Sequence, residues 1–562
     1  MTIPSKRPNF LLIVADDLGY TDLSPFGGEI HTPNLHKLAT QSGVRLADFH
    51  TASACSPTRS MLLSGTDNHI AGLGQMAEFA SKHARFKDQP GYEGYLNDRV
   101  VAISEILQDA GYFTFISGKW HLGLKEPYWP VKRGFEKSWT LLPGAGNHFK
   151  YITRDENGNQ IPFLPSFYVE DDRELNPEEA LPEDYYSTNF FTDKAIEFID
   201  STPADKPFFG LLTYTAPHWP YQAPQDRIEK YIGVYDDGPE ELRRRRLAQA
   251  IKLGLIDEKV TPHPIYTIRK RWEELTDEEK KIESKIVATY AAMIEILDEN
   301  IGKILDHLEA KGELENTFIS FMSDNGAEGM FMEALPLSNQ RIHKFIDNYY
   351  DNSYENIGNH NSFTYFGDQW AQASTAPRYM SKGWNTEGGI VCPLILHYPP
   401  LLKPNHGKIF KEFTTVMDFL PTVLELAGVE HPGNTYKGRQ VVSPRGKSWV
   451  SYLANKSDHV HDENTVTGWE LFGQQAIRKG EYKALYIPKP FGPEKWQLFN
   501  IIKDPGEVYD LSDEKPKILE ELVGHWAVYA AETGLIELGS EFFEQEKIEG
   551  ADNDVTFRTI LD

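Results

Sequence analysis

Cysteine is almost missing from this sequence: 562 residues hold two, Cys55 and Cys392. A disulfide framework is therefore excluded. No run of 18 or more apolar residues occurs, so no membrane-spanning helix is expected. The polar start, Met1 to Asn9, leads into one short apolar run, Phe10 to Ala15, which ends in two aspartates. That run lacks the length and the small-residue cleavage site of a secretory signal. These absences point to a reducing compartment inside the cell, the cytoplasm. Positive charge is also scarce. Lys and Arg number 57 against 83 Asp and Glu, a formal charge of −26. Such a surface repels nucleic acid and anionic membrane, so neither is expected as a partner. A local basic pocket remains compatible with it. Internal repeats and low-complexity tracts are absent as well.

What is present fits a globular protein, with 40% apolar and 25% charged residues. A single core stops growing near roughly 250–300 residues, so two domains are expected. Through about residue 440, short apolar runs alternate with helical patterns. The runs Asn9–Val14, Phe113–Ser117, Phe208–Tyr214, Phe318–Met322 and Val391–Tyr398 read as strands. The segments Thr32–Ser42, Pro57–Leu63, Val101–Ala110, Thr192–Ile199, Lys285–Lys311 and Val416–Ala427 read as helices. Nearly all-apolar strands between helices predict an α/β fold around a mostly parallel sheet buried on both faces. A helical excursion covers about residues 221–311. Its charged part, Arg227 to Glu283, includes Arg243-Arg244-Arg245-Arg246 and reads as a solvated surface. In residues 441–562 the texture changes. Leu471–Arg478, Tyr482–Ile487 and Trp496–Asn500 read as strands, and Lys517–Glu532 as a helix, which predicts a small antiparallel sheet with one covering helix.

In open α/β sheets, ligands bind beyond the carboxyl ends of the strands. There the sequence places Asp16 and Asp17, then Lys119, Trp120 and His121, then Pro217-His218-Trp219-Pro220, then Asp324 and Asn325. Each group alone has an ordinary explanation as a cap or turn; Asn325-Gly326 is a hairpin signal by itself. Together they form a constellation. Asp16, Asp17, Asp324 and Asn325 are hard oxygen donors, which suit Ca²⁺ or Mg²⁺ rather than Zn²⁺. Three carboxylates in one cleft need a cation. Lys119, His121 and His218 beside it describe an anion site in an acidic protein. Cys55 precedes Pro57, which fits a first helical position, so its sulfur lies at a helix N-terminus that favours negative charge. Arg59 lies one turn on. Cys392 sits in an apolar run and reads as a buried hydrophobe.

Cys55-Ser56-Pro57-Thr58-Arg59 matches the sulfatase signature C-x-P-x-R, and Gly118-Lys119-Trp120-His121-Leu122-Gly123 matches the second sulfatase signature. The chain resembles the type I sulfatases, most nearly bacterial arylsulfatases of Pseudomonas type. The resemblance runs nearly end to end and includes His461-Asp462-Glu463-Asn464-Thr465-Val466-Thr467-Gly468-Trp469-Glu470-Leu471-Phe472. It implies an alkaline phosphatase-like fold, a large mixed sheet between helices with a small C-terminal four-stranded sheet. It implies hydrolysis of sulfate esters, with aryl sulfates as the small-molecule substrate. It implies that Cys55 is oxidised to formylglycine by a formylglycine-generating enzyme. A Ca²⁺, with Mg²⁺ second to it, would be held by Asp16, Asp17, Asp324, Asn325 and residue 55. Arg59, Lys119, His121, His218 and Lys382 match the remaining catalytic residues; Lys382, in Lys382-Gly383-Trp384-Asn385, comes from the resemblance and not from the strand ends. Lys119 and Lys382 would bind sulfate oxygens. Arg59 would hold residue 55, His218 would protonate the leaving group, and His121 would act as base at residue 55. Val391 departs from the pattern, since relatives commonly carry Arg there. Two alternatives are a phosphonate monoester or phosphodiester hydrolase on the same site, and an unconverted, non-catalytic metal- and anion-binding protein.

Overall fold

A computed structural model describes residues 6–159, 166–329 and 346–539. The large sheet contains β1 (Asn9–Ala15), β2 (Val44–His50), β3 (Phe113–Lys119), β4 (Lys137–Leu141), β5 (Tyr168–Glu170), β6 (Arg173–Leu175), β7 (Phe208–Thr213), β8 (Thr317–Ser323), β9 (Val391–His397), β10 (Ile409–Phe410) and β11 (Thr414–Thr415). Its order is β10-β2-β9-β8-β1-β7-β3-β4-β5-β6, with β11 also on β2. Pairings of β1 with β7 and β8, of β3 with β4 and β7, and of β2 with β10 and β11 are parallel. Only β9 and β5 run against them; β6, antiparallel to β5, runs with the parallel set again. The fold is the expected mixed, mostly parallel α/β sheet.

The apolar runs become strands because both faces are covered. Along β1, Leu11, Ile13 and Ala15 join one core with the helix Asp277–Ala310, while Phe10, Leu12 and Val14 join the other with the helices Cys55–Ser64 and Phe419–Ala427. The long helix starts at a capping box, Thr276 with Glu279, which satisfies two of its free amides.

After a short ribbon of β12 (Thr435–Tyr436) and β13 (Arg439–Gln440) comes the second sheet, β14 (Val466–Leu471), β15 (Gln474–Lys479), β16 (Tyr482–Tyr486) and β17 (Trp496–Asn500). It is antiparallel throughout. The helix Pro516–Thr533 covers it with Leu522, Trp526 and Tyr529. Among the described residues, no helix is long and apolar enough to cross a membrane.

Three expectations need correction. Leu471–Arg478 is not one strand. Phe472 and Gly473 both take positive φ, 53° and 77°, and form the two-residue turn between β14 and β15. Strand β2 was missed because Arg45 and Asp48 interrupt its apolar pattern; Arg45 donates to the Pro25 carbonyl, and Arg478 donates to Asp48. The arginine run is not a solvated face throughout. Three-residue spacing puts Arg243 and Arg246 on one side of the helix Pro239–Lys252, facing inward. Arg246 binds Asp22 and Glu29, and Arg243 binds the Pro377 and Arg378 carbonyls. Arg244 and Arg245 alone face solvent, paired with Glu241 and Asp237.

Candidate active site

Four parallel strands, β1, β3, β7 and β8, end at one rim. From them come Asp16 and Asp17, Lys119 and His121, His218, and Asp324 with Asn325. Strand β2 ends at the same rim and leads through residues 51–54 into the helix Cys55–Ser64. Because β9 is antiparallel, its start lies there too, and the segment before it delivers Lys382. The structure thus brings together every residue singled out for the site.

The carboxylates interlock. Lys119 Nζ donates to Asp16 Oδ2 at 2.7 Å, and Lys382 Nζ donates to Asp17 Oδ2 at 2.9 Å. Arg59 forks onto Asp324 Oδ2 through Nε and Nη2, at 3.0 and 2.8 Å, while its Nη1 donates to the Lys119 carbonyl. Asn325 Nδ2 donates to Asp17 Oδ1 at 2.7 Å, so Asn325-Gly326 is no hairpin turn. Two oxygens remain without a hydrogen-bond partner although buried, Asp16 Oδ1 and Asn325 Oδ1. Ligand atoms of Asp16, Cys55 and Asp324 lie within 4.8 Å of one another, as do those of Asp16, Asp17 and His218. Orphaned hard oxygens among converging carboxylates fit a divalent cation, because leaving them bare in the interior costs about 1–3 kcal/mol each.

Electrostatics agree with that geometry. Burial raises Asp16 well above the usual carboxylate range, and the Asp324 and Asp17 charges add to it against Lys119. Burial also opposes ionisation of Asp17, but Lys382, His218 and Lys119 outweigh it and bring Asp17 to about 2. The Cys55 thiol, which burial alone would raise, is drawn down to about 7 by Lys119, His121 and Lys382. Burial lowers His218 well below its ordinary value, with Lys382 and Lys119 adding to the effect against Asp17. Lys382 is raised well above the lysine range because Asp17 and Glu328 overcome its burial.

His121 lies between two groups. Its Nδ1 is 3.3 Å from Cys55 Sγ, and its Nε2 is 2.9 Å from Glu78 Oε1. His218 Nε2 is 3.3 Å from Asp17 Oδ2, and its Nδ1 is 2.7 Å from the Trp219 carbonyl. His148 supports that turn from behind, with Nε2 3.0 Å from the His218 carbonyl. Trp219 packs against Phe363, whereas Trp120 is buried. Val391 is fully buried opposite His50 in the sheet and lines no opening. Cys392 is buried with its thiol pushed up, an inert core residue.

Sequence reasoning missed three polar neighbours. Glu78 lies on the short helix Ala77–Ala80. Glu328 Oε2 is 3.0 Å from Lys382 Nζ. Gln474, the first residue of β15, donates to the Gly383 carbonyl and accepts from the Asn385 amide. Glu78 and Gln474 follow no carboxyl end of a large-sheet strand, Glu328 follows β8 by five residues, and none of the three lies within either signature.

A family model described as "Sulfatase" matches residues 8–429. An uncharacterized sulfatase of Schizosaccharomyces pombe is 53% identical over 96% of each chain. An arylsulfatase of Klebsiella aerogenes is 37% identical over 76% of this chain and 88% of its own. Among solved structures, Ps i-CgsB in complex with k-i-k-neocarrahexaose superimposes with a TM-score of 0.67 at 24% identity, over 99% of both chains.

Proposed function

The chain belongs to the sulfatase family, hydrolases of sulfate esters, and on that premise we propose that it cleaves aryl sulfates to a phenol and inorganic sulfate, with Cys55 converted to formylglycine and Ca²⁺ in the carboxylate cluster. The observation that carries this reading is the convergence of the unpartnered Asp16 Oδ1 and Asn325 Oδ1 with Cys55, Lys119 and Lys382 at one rim. Conversion of Cys55 implies a formylglycine-generating enzyme as maturation partner. Two unpaired, buried cysteines support a reducing, cytoplasmic setting.

Asp16, Asp17, Asp324, Asn325 and residue 55 would hold the cation. When present, the cation and the hydrated aldehyde supply charge neutralisation at sulfate oxygens and an activated oxygen nucleophile. The remaining work falls to the chain's own side chains. Lys119 and Lys382, each fixed by a carboxylate, donate to sulfate oxygens. Arg59, three of whose five N–H groups are given to Asp324 and the Lys119 carbonyl, orients the metal-side carboxylate instead of the sulfate. His218 delivers a proton to the leaving oxygen; an imidazole held at low pKa is a strong acid once protonated. His121 receives a proton at residue 55 through Nδ1. Trp219, backed by Phe363, gives the leaving-group side an aromatic wall beside His218, which supports an aryl substrate, as does the similarity to the arylsulfatase of Klebsiella aerogenes.

Peptide mass mapping of residue 55, run with sulfate-release assays, tests this. The expected peptide carries an aldehyde in place of the thiol, and Cys55→Ala releases no sulfate. Full turnover by Cys55→Ala would overturn the reading, and faster cleavage of an aryl phosphonate than of the aryl sulfate would reassign the substrate. His218→Ala should slow esters of poor leaving groups by roughly 10²–10⁴ and spare nitrophenyl sulfate. A loss independent of phenol pKa would pass the acid role to Lys382.

A further inference from the structure

We infer that Glu78 is the positioning residue of His121, the third member of a residue 55–His121–Glu78 line. The inference rests on the reading above for the role of His121, and on geometry for the rest. A carboxylate only accepts hydrogen bonds, so the 2.9 Å contact to Glu78 Oε1 requires the proton on His121 Nε2. The ring nitrogen left facing residue 55 is then Nδ1, 3.3 Å from the sulfur. That is the nitrogen through which a base would act on residue 55.

The ring has nowhere else to go. His121 takes a left-handed backbone, φ 56°, and its amide is held by the Leu142 carbonyl. Gly144 faces the ring closely enough that a Cβ there would lie 2.5 Å from Cε1 and 2.7 Å from Nε2. Glu78 is seated in turn. Phe79 beside it packs edge-on against Phe472 at 5.3 Å, in one apolar cluster with Ala54, Cys55 and Leu471. The other Glu78 oxygen, Oε2, has no hydrogen-bond partner. Glu78 acts through His121. The rival role is local, capping the first turn of its own four-residue helix.

A double-mutant cycle separates the two. Glu78→Ala should lower kcat by roughly 10–100-fold, with KM unchanged and the same fold-loss for good and poor leaving groups. Combined with His121→Ala it should add nothing further. A loss that multiplies with that of His121→Ala overturns the assignment, as does a loss confined to thermal stability. Glu78→Gln keeps the volume and repeats the cycle if Glu78→Ala does not fold. A second readout needs no turnover. In the Cys55→Ala chain, ¹⁵N signals of the His121 ring should report a proton on Nε2 of the neutral form, and Glu78→Ala should remove that preference. Unchanged ring signals overturn the inference. A wild-type chain that releases no sulfate would instead sink the proposed function and leave the ring measurement standing.

Discussion

The strand-end pocket and the seam between the two sheets are built from the same kinds of side chain. Both pack carboxylates with histidine, lysine and arginine away from solvent. In the seam, Lys483 donates to Glu387 Oε1 at 2.8 Å and Glu507 Oε1 at 2.9 Å. His50 Nε2 lies 3.2 Å from Glu387 Oε2, the Glu387 amide donates to Glu507 Oε2, and Arg478 holds Asp48. Ligand atoms of Asp48, His50 and Glu387 cluster as tightly as those at the rim. Yet both oxygens of Glu387 and Glu507 are already satisfied, whereas Asp16 Oδ1 and Asn325 Oδ1 are not. Composition and burial therefore do not define a metal site here. What sets the rim apart is unfilled coordination, on which the proposed cation rests. A closed network holds two sheets together; the open one has oxygens left for the cation proposed above.

The largest effect should come from the open side. Asp17→Ala or Asp324→Ala should reduce sulfate release to background and abolish bound metal, read by elemental analysis of the purified chain. Wild-type metal content in either variant would erase the contrast. Next comes the closed side. Lys483→Met leaves Glu387 and Glu507 facing each other without a cation, and loss of one partner from a buried ion network costs about 3–5 kcal/mol. Its urea midpoint should fall by a corresponding amount while metal content per folded chain is kept. A lost metal with unchanged stability would invert the two roles.

The smallest effect is a pH dependence in the same seam. His69 bridges Asp67, at the start of a short helix, and Glu470 in β14, with ring-to-carboxylate distances of 2.9 and 3.1 Å. Burial would lower its pKa, but the bonds to Asp67 and Glu470 raise it from 6.5 to about 9. A pKa raised on folding stabilises fully below the unfolded value and loses that contribution as pH climbs through the folded one. The Tm advantage of wild type over His69→Gln should therefore be widest below pH 6.5 and shrink as pH passes about 9. An advantage that grows with pH would show that the bridge is held by a neutral ring.

Much of this was legible in the sequence, for identifiable reasons. Asp16, Asp17, Lys119, His218 and Asp324 follow apolar runs, and a parallel sheet gathers its carboxyl ends at one rim. Cys55 and Arg59 lie in a signature. Lys382 escaped the strand-end argument because β9 runs backwards, so its beginning, not its end, reaches the rim. Arg243 and Arg246 were misread because a charge run does not reveal which of its members face inward. Glu78 and Gln474 carry no local signal. Their positions follow from packing between segments far apart in the chain, about 400 residues for Phe79 with Phe472 and 91 for Gln474 with Gly383, which no spacing rule encodes.

That long separation has a temporal side. Gln474 grips Gly383 and Asn385; Asn385 accepts from Ser53 Oγ, and the Gly383 amide donates to the Ser53 carbonyl, two residues before Cys55. Leu471 and Phe472 share the apolar cluster around Cys55 itself. The segments that shut over residue 55 are thus among those the ribosome makes some 420 residues later. At roughly 5–20 residues per second, about 20–80 s pass between the two events. In the folded chain only 1% of Cys55 is exposed, so the conversion proposed above, by an enzyme that reads a linear motif, would have to fall within that interval.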